Sequence, residues 1–338
     1  MYKKLSVLYD EAIGDRKLWN YYDLPELYSY EELKDTEKCK SFIRNTLFYG
    51  GKDESFLYHC IDDLCPGRIR HIVSSFFLGI ILYKNSELIK KHISSIFQRL
   101  DAENVFKNSD RKFSYSWMLI CMFHDLGYAI EDGYSAKEEW ESCIKLFPAR
   151  QPGIPRTYTQ KLIENYSRFC QCKFGIYEHG IYGGKIFYSQ LCELRKEKSQ
   201  HPDGKLYWGK EMVAFYALVS WVIMCHNIWI IDKNDKNVMS YQCHGLHSLI
   251  RQNGDYLIKL RYHPVLFLFN LIDTLDFSKL CRNTIDVWAN EVKMEFLSNK
   301  FSVDMSDCPA LDASKIIKMN NWLIKTIEKE HNVIEINF

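Results

Sequence analysis

The stretch from Met212 to Cys225, MVAFYALVSWVIMC, constrains this chain more than any other. It is the longest apolar run, yet it falls short of a membrane span and leads straight into His226-Asn227. A helix that is apolar on every side has to be surrounded by other protein, so the fold must supply a large core. The composition allows one. Hydrophobic residues make up 47% of the 338 residues and aromatics 15%, with 22 Tyr and 20 Phe, while Gly and Pro are few. Charged residues at 26% complete the balance of a soluble globular protein and exclude a disordered chain, a collagen or a coiled-coil rod.

Other segments repeat the helical signal. Pro66-Gly67 opens a helix whose apolar set is Ile69, Ile72, Val73, Phe76, Phe77, Ile80 and Ile81, at i, i+3, i+4, i+7 spacing. Further helices are expected at about 113–125, 157–170, 176–197, 208–230 and 264–283, with a short one over Glu31–Asn45. Pro152, Gly153 and Pro155 mark a loop, and the polar segment 231–256 reads as another. After about 290 the pattern alternates. Val292 to Leu297 and Phe301 to Met305, with Ser298-Asn299-Lys300 between them, predict a β-hairpin. A helix at 312–330 and a strand at 332–338 complete a small α+β tail. The length alone suggests about two domains. The pattern divides more finely, into an aromatic N-terminal extension (1–60), a helical domain (61–285) and the α+β element (286–338).

A net charge of +1 points to no long nucleic acid and no anionic membrane. MYKKLSVLYDEAIGDRK lacks the apolar core of a signal peptide. The 12 Cys are scattered without a CxxC, so free thiols in a reducing cytoplasm are expected.

The chemistry centres on Phe123-His124-Asp125-Leu126-Gly127-Tyr128. Adjacent imidazole and carboxylate groups at a helix end can reach one metal ion, and a carboxylate can bridge two. Four more segments each offer a metal-type ligand from a mostly apolar helix. His71 follows Arg68 and Arg70, and His179 follows Glu178. His226 ends the most apolar helix, and Asp273 sits within LFLFNLIDTL. A carboxylate in such a run is costly to bury without a partner or a metal. A bundle that converges these groups would form a two-metal pocket.

The order His71, His124-Asp125, His179, His226, Asp273 resembles the HD superfamily of metal-dependent phosphohydrolases, in its extended two-metal form. The strings HDLGYAIE, EHGIYGGKI, HNI and HPVLFLFNLIDTLD are similar to one bacterial branch. The resemblance covers about residues 60–285 and implies a mainly α fold, an HD-type helical bundle. It implies that His71, His124, Asp125 and Asp273 hold a first divalent ion. Asp125 bridges to a second, which His179 and His226 complete. Iron, manganese, zinc and magnesium all suit such mixed ligands. The implied activity is hydrolysis of a nucleotide or another small phosphate ester by a metal-activated water, with His124 and Asp125 at the reacting centre. Lys185 is a candidate contact to the substrate phosphate, and Arg68 and Arg70 have the same reading beside that of plain solvated charges. The signatures of the (p)ppGpp, dNTP and cyclic-di-GMP branches are missing. Glu131-Asp132, for example, does not match the carboxylate pair of the first. The alternative is a non-catalytic HD-type module that senses a nucleotide or holds a partner, and a homo-oligomer is left open.

Other residues have blander readings. Asp276, one turn after Asp273, is its rival as the last ligand. His263 precedes Pro264 and reads as a helix-start residue, while His244 and His247 lie in the polar segment. Glu178 and Glu131 are candidates for orienting a ligating histidine.

Overall fold

The computed structural model describes residues 1–24, 27–100, 106, 109–128, 160–176, 178–201, 206–228, 234–249, 258–277, 285–308 and 333–337. The fold is mainly α, with one small sheet of four strands. Its contacts divide the chain into two compact units. One combines Met1–Ser94 with Phe267–Phe338, and the other is Ser95–Leu266.

The Pro66–Asn85 helix is central to the first unit. Proline at its start gives up an N–H that has no helical partner there. All seven apolar residues of the predicted stripe are buried. Phe76 and Phe77 pack against Trp19, whose ring stands edge-on to Phe77 at 5.2 Å. The Trp19 indole donates to the Ala12 carbonyl at 3.0 Å, so its polar atom is satisfied inside the core. The helix expected from Glu31 starts later, as Thr36–Tyr49. Asp35 sets that start, because its carboxylate accepts from the backbone N–H groups of Glu37 and Lys38. The residues before it form a 3-10 turn, Tyr30–Lys34.

The predicted hairpin is present as β2 (Lys293–Phe296) and β3 (Phe301–Asp304), antiparallel, with Met294 opposite Val303. Leu297 N–H donates to the Lys300 carbonyl and closes the turn. Two further strands extend the pair. β4 (Ile334–Asn337) runs parallel to β3, and β1 (Lys3–Lys4) runs antiparallel to β2. Residues 3–4 carry no strand signal, being two exposed lysines, and pairing alone defines them. The helix predicted at 312–330 lies outside the described residues.

In the second unit, the Met212–Cys225 helix lies directly against the His179–Gln200 helix. Gly184 makes this approach possible, since a Cβ there would sit 2.6 Å from the Ser220 carbonyl oxygen. Ser220, the hydroxyl inside the apolar run, donates to the Gly184 carbonyl at 2.6 Å. The Ser109–Phe123 and Gln160–Phe174 helices belong to the same unit.

Two expectations need correction. The polar segment 231–256 is not all loop. Its described part holds a helix, Val238–Cys243, and a 3-10 turn, Leu246–Leu249, which bury Tyr241, Leu246 and Leu249. Three apolar residues suffice to dock this segment, although the surrounding polar residues dilute the pattern. The helix expected over 264–283 ends at Thr274, whose hydroxyl bonds back to the Asn270 carbonyl at 2.6 Å. Among the described residues, no single helix is long and apolar enough to cross a membrane, and every cysteine is a free thiol.

Candidate metal centre

In the second unit, three helix ends supply the ligand-type side chains. His124 follows the last residue of Ser109–Phe123, and His226 follows the last residue of Met212–Cys225. His179 is the first residue of His179–Gln200. All three imidazoles are buried. Donor atoms of Asp125, His179 and His226 lie within 4.8 Å of one another.

The backbone fixes two of the rings. His124 Nδ1 lies 3.0 Å from the Cys121 carbonyl, and His226 Nδ1 lies 2.6 Å from the Ile223 carbonyl. Both carbonyls are in the last helical turn, where such groups lack a helical partner. A carbonyl can only accept, so Nδ1 carries the proton in each neutral ring and Nε2 is left bare. His124 Nε2 then faces Asp125 Oδ1 at 3.2 Å. His226 Nε2 faces His179 Nε2, also at 3.2 Å. Two ligands held about 2.1 Å from one ion at octahedral or tetrahedral angles are about 3.0–3.4 Å apart. The donor set and its spacing therefore fit a divalent cation with mixed nitrogen and oxygen ligands.

Gly127 and Tyr128 hold His179 from the other side. A Cβ on Gly127 would lie 1.8 Å from the His179 carbonyl oxygen, so only glycine allows the chain to press against the helix start. The Tyr128 ring stacks on the His179 imidazole, with centroids 3.8 Å apart and planes 18° from parallel. Sequence reasoning missed this role, although the tyrosine stood four residues after His124. Glu178 turns out to be a helix cap. Its carboxylate accepts from Gly180 and Ile181 N–H groups, both at 3.0 Å, and its nearer oxygen is 3.8 Å from His179 Nδ1. Burial, with the negative Glu178 nearby, pushes the Cys170 thiol up to about 12 and Cys225 well above its ordinary value. Neither thiol is poised to act as a thiolate ligand.

The first unit holds a second cluster. His71 is buried on the Pro66–Asn85 helix. Its Nε2 is 3.4 Å from Asp273 Oδ1, and its Nδ1 is 2.8 Å from Asp276 Oδ2. The two aspartates that the sequence left as rivals thus stand at opposite nitrogens of one ring. The Asp273 side chain is 30% exposed and that of Asp276 only 3%. Ser75 Oγ also reaches Nδ1, at 3.3 Å.

The remaining candidates are placed as follows. Lys185 is buried on the His179–Gln200 helix. Arg70 donates to the Thr36 hydroxyl at 3.1 Å, a structural contact, and Arg68 is half-buried. His263 is buried against the Trp221 ring at 4.9 Å. His244 is exposed and His247 half-buried, and Glu131 lies outside the described residues.

Comparison with known proteins adds no relative, because no family model, no curated protein and no solved structure matches this chain.

Proposed function

We propose that this chain is a metal-dependent phosphohydrolase of the HD type, acting on a nucleotide or another small phosphate ester. The observation that carries the reading is the convergence of Asp125, His179 and His226, with the Nε2 of His226, and of His124 beside Asp125, bared by a backbone carbonyl at Nδ1. The resemblance assigns His71, His124, Asp125 and Asp273 to one ion and Asp125, His179 and His226 to another. Bound divalent ions would supply Lewis acidity, which lowers the pKa of a water and neutralises charge on the phosphate oxygens.

The chain's own residues do the positioning. Asp125 offers two carboxylate oxygens and a partly open side chain, which suits a ligand facing the substrate. Tyr128 and Gly127 keep the His179 ring in one orientation. Lys185 is the proposed cationic contact for phosphate. A near-balanced charge suits a small substrate better than a polyanion.

The test is metal analysis of the purified chain, followed by a phosphate-release screen over nucleotides with Mn²⁺, Fe²⁺, Zn²⁺ and Mg²⁺. The reading expects bound metal and turnover, both lost in Asp125→Ala. A fully metal-loaded protein that releases phosphate from no ester would sink it. Nucleotide binding without turnover would favour the non-catalytic module instead.

A further inference from the structure

One helical turn in the second unit both carries His179 and meets His226. We infer that Glu178 is a positioning residue: by capping the helix that starts at His179, its buried carboxylate fixes the turn against which the His226 ring and the Ile223 carbonyl rest. The inference rests on the metal-binding reading above for the purpose of that turn, and on the geometry at the helix start for its content.

A helix leaves its first backbone N–H groups without helical partners. Here Glu178 Oε1 accepts from the Gly180 N–H and Oε2 from the Ile181 N–H, so one side chain ties down two of them. The Ile181 N–H is shared with the Glu178 backbone carbonyl at 3.2 Å, which leaves Gly180 as the amide that depends on the side chain. The Glu178 side chain is 0% exposed, and a carboxylate buried to that degree needs such donors. Its nearer oxygen is 3.8 Å from His179 Nδ1, beyond hydrogen-bond reach, so it acts through the backbone and not through the ring.

The capped turn is pressed against the partner helix. A Cβ on Gly180 would lie 2.8 Å from the Ile223 carbonyl oxygen and 3.1 Å from both His226 Cε1 and Glu178 Oε1. No methyl group fits between the cap, the His226 ring and the carbonyl that orients it. His179 stands on the same turn, with its Nε2 3.2 Å from that of His226. The charge of Glu178 is felt by the Cys170 thiol on the Gln160–Phe174 helix and by Cys225, the residue before His226. The cap therefore sits where three helices meet, and unwinding its turn would move His179 away from His226.

The test uses the whole chain in two measurements. Hydrogen exchange at the Gly180 amide of the metal-free protein reports the cap, and titration calorimetry with Mn²⁺ reports the site. Glu178→Ala should exchange that amide about tenfold faster and bind Mn²⁺ about 10- to 100-fold more weakly. Glu178→Gln keeps the shape and one acceptor oxygen, so it should fold even where the alanine variant does not, and both effects should be smaller. Glu178→Asp restores a carboxylate of the usual capping length and should recover both readings. A role in stability alone would leave Mn²⁺ affinity unchanged in every variant that folds. Faster exchange with unchanged affinity thus overturns the inference, as does unchanged exchange. Slow exchange without recovered affinity in Glu178→Asp also overturns it, because the carboxylate would then act on the site directly. The expected exchange pattern in a wild type that binds no Mn²⁺ would instead overturn the metal reading, and with it the purpose assigned to the cap.

Discussion

The two histidine clusters are held by different means. In the second unit, main-chain carbonyls of Cys121 and Ile223 orient His124 and His226. In the first unit, side chains stand at the equivalent nitrogen of His71, the Ser75 hydroxyl bonded to it at 3.3 Å and the Asp276 carboxylate beside it at 2.8 Å. A carbonyl at a helix end is present whatever residue occupies the position, whereas a side-chain partner such as the Ser75 hydroxyl is lost by one substitution. The difference teaches that the same imidazole orientation can be robust or fragile to mutation, depending on where its partner comes from.

Four measurements would break or sharpen this contrast. The largest effect should come from Asp125→Ala, which removes the only carboxylate of the Asp125–His179–His226 group. Metal affinity should fall by more than about 100-fold, since even an outer partner of a ligand is worth about 10–100-fold. Retained affinity by calorimetry would mean that the trio is not a metal site.

Next is Lys52, a backbone-held group in the first unit, whose amine donates to the Gly50 carbonyl at 2.8 Å. It shows that the contrast belongs to the clusters and not to the units. Burial pushes this lysine down to about 7. Between about pH 7 and 10.4 the unfolded chain therefore holds a proton there that the folded chain has released. Stability from Lys52 rises with pH across that window, by roughly 3–5 kcal/mol. Denaturant unfolding at pH 7, 8.5 and 10 should show a steeper rise for the wild type than for Lys52→Met. Equal slopes would contradict the buried placement.

Gly127→Ala comes third. Its Cβ would collide with the His179 carbonyl oxygen, a backbone atom, so stability should drop by about 1–3 kcal/mol. Gly14→Ala, with no atom within 4 Å of the new Cβ, is the control and should be neutral or slightly stabilising. A similar melting temperature for both variants would rule out the close approach at Gly127. The smallest effect should come from Ile223→Val. It leaves the carbonyl that faces His226 in place, so metal affinity should hold while stability falls by about 0.5–1.5 kcal/mol. A loss of metal affinity there would break the distinction between backbone and side-chain support.

Much of the scaffold was legible in the sequence because it rests on burial. The stripe from Ile69 to Ile81 and the 292–305 hairpin announce themselves through periodicity, and both formed. The start of the helix at Thr36 was misread because Asp35 was not weighed as a cap. The helix at Val238–Cys243 was hidden by polar neighbours. At the candidate site, the residue types pointed to segments that the fold brings together as clusters of ligand-type side chains, since buried histidines and aspartates are conspicuous among apolar residues. Their partners were not legible. The Cys121 and Ile223 carbonyls have no signature, since every residue has one, and Asp273 and Asp276, one turn apart, differ in the nitrogen of His71 they face and in burial, neither of which spacing reveals.

The sheet has a consequence for how the chain is made. β1 at Lys3–Lys4 pairs with β2 at Lys293–Phe296, and β4 at Ile334–Asn337 closes the other edge. The unit of residues 95–266 is one uninterrupted stretch inserted between the two parts of the other. A ribosome therefore finishes the inserted unit first, while the opening segment, emerged long before, waits for strands near the far end. Pairing across so great a sequence separation is slow to form. Synthesis order makes the first-emerging unit the last to be completed, and its waiting helices, rich in buried Phe and Trp, are the part of the chain most in need of protection from aggregation during that interval.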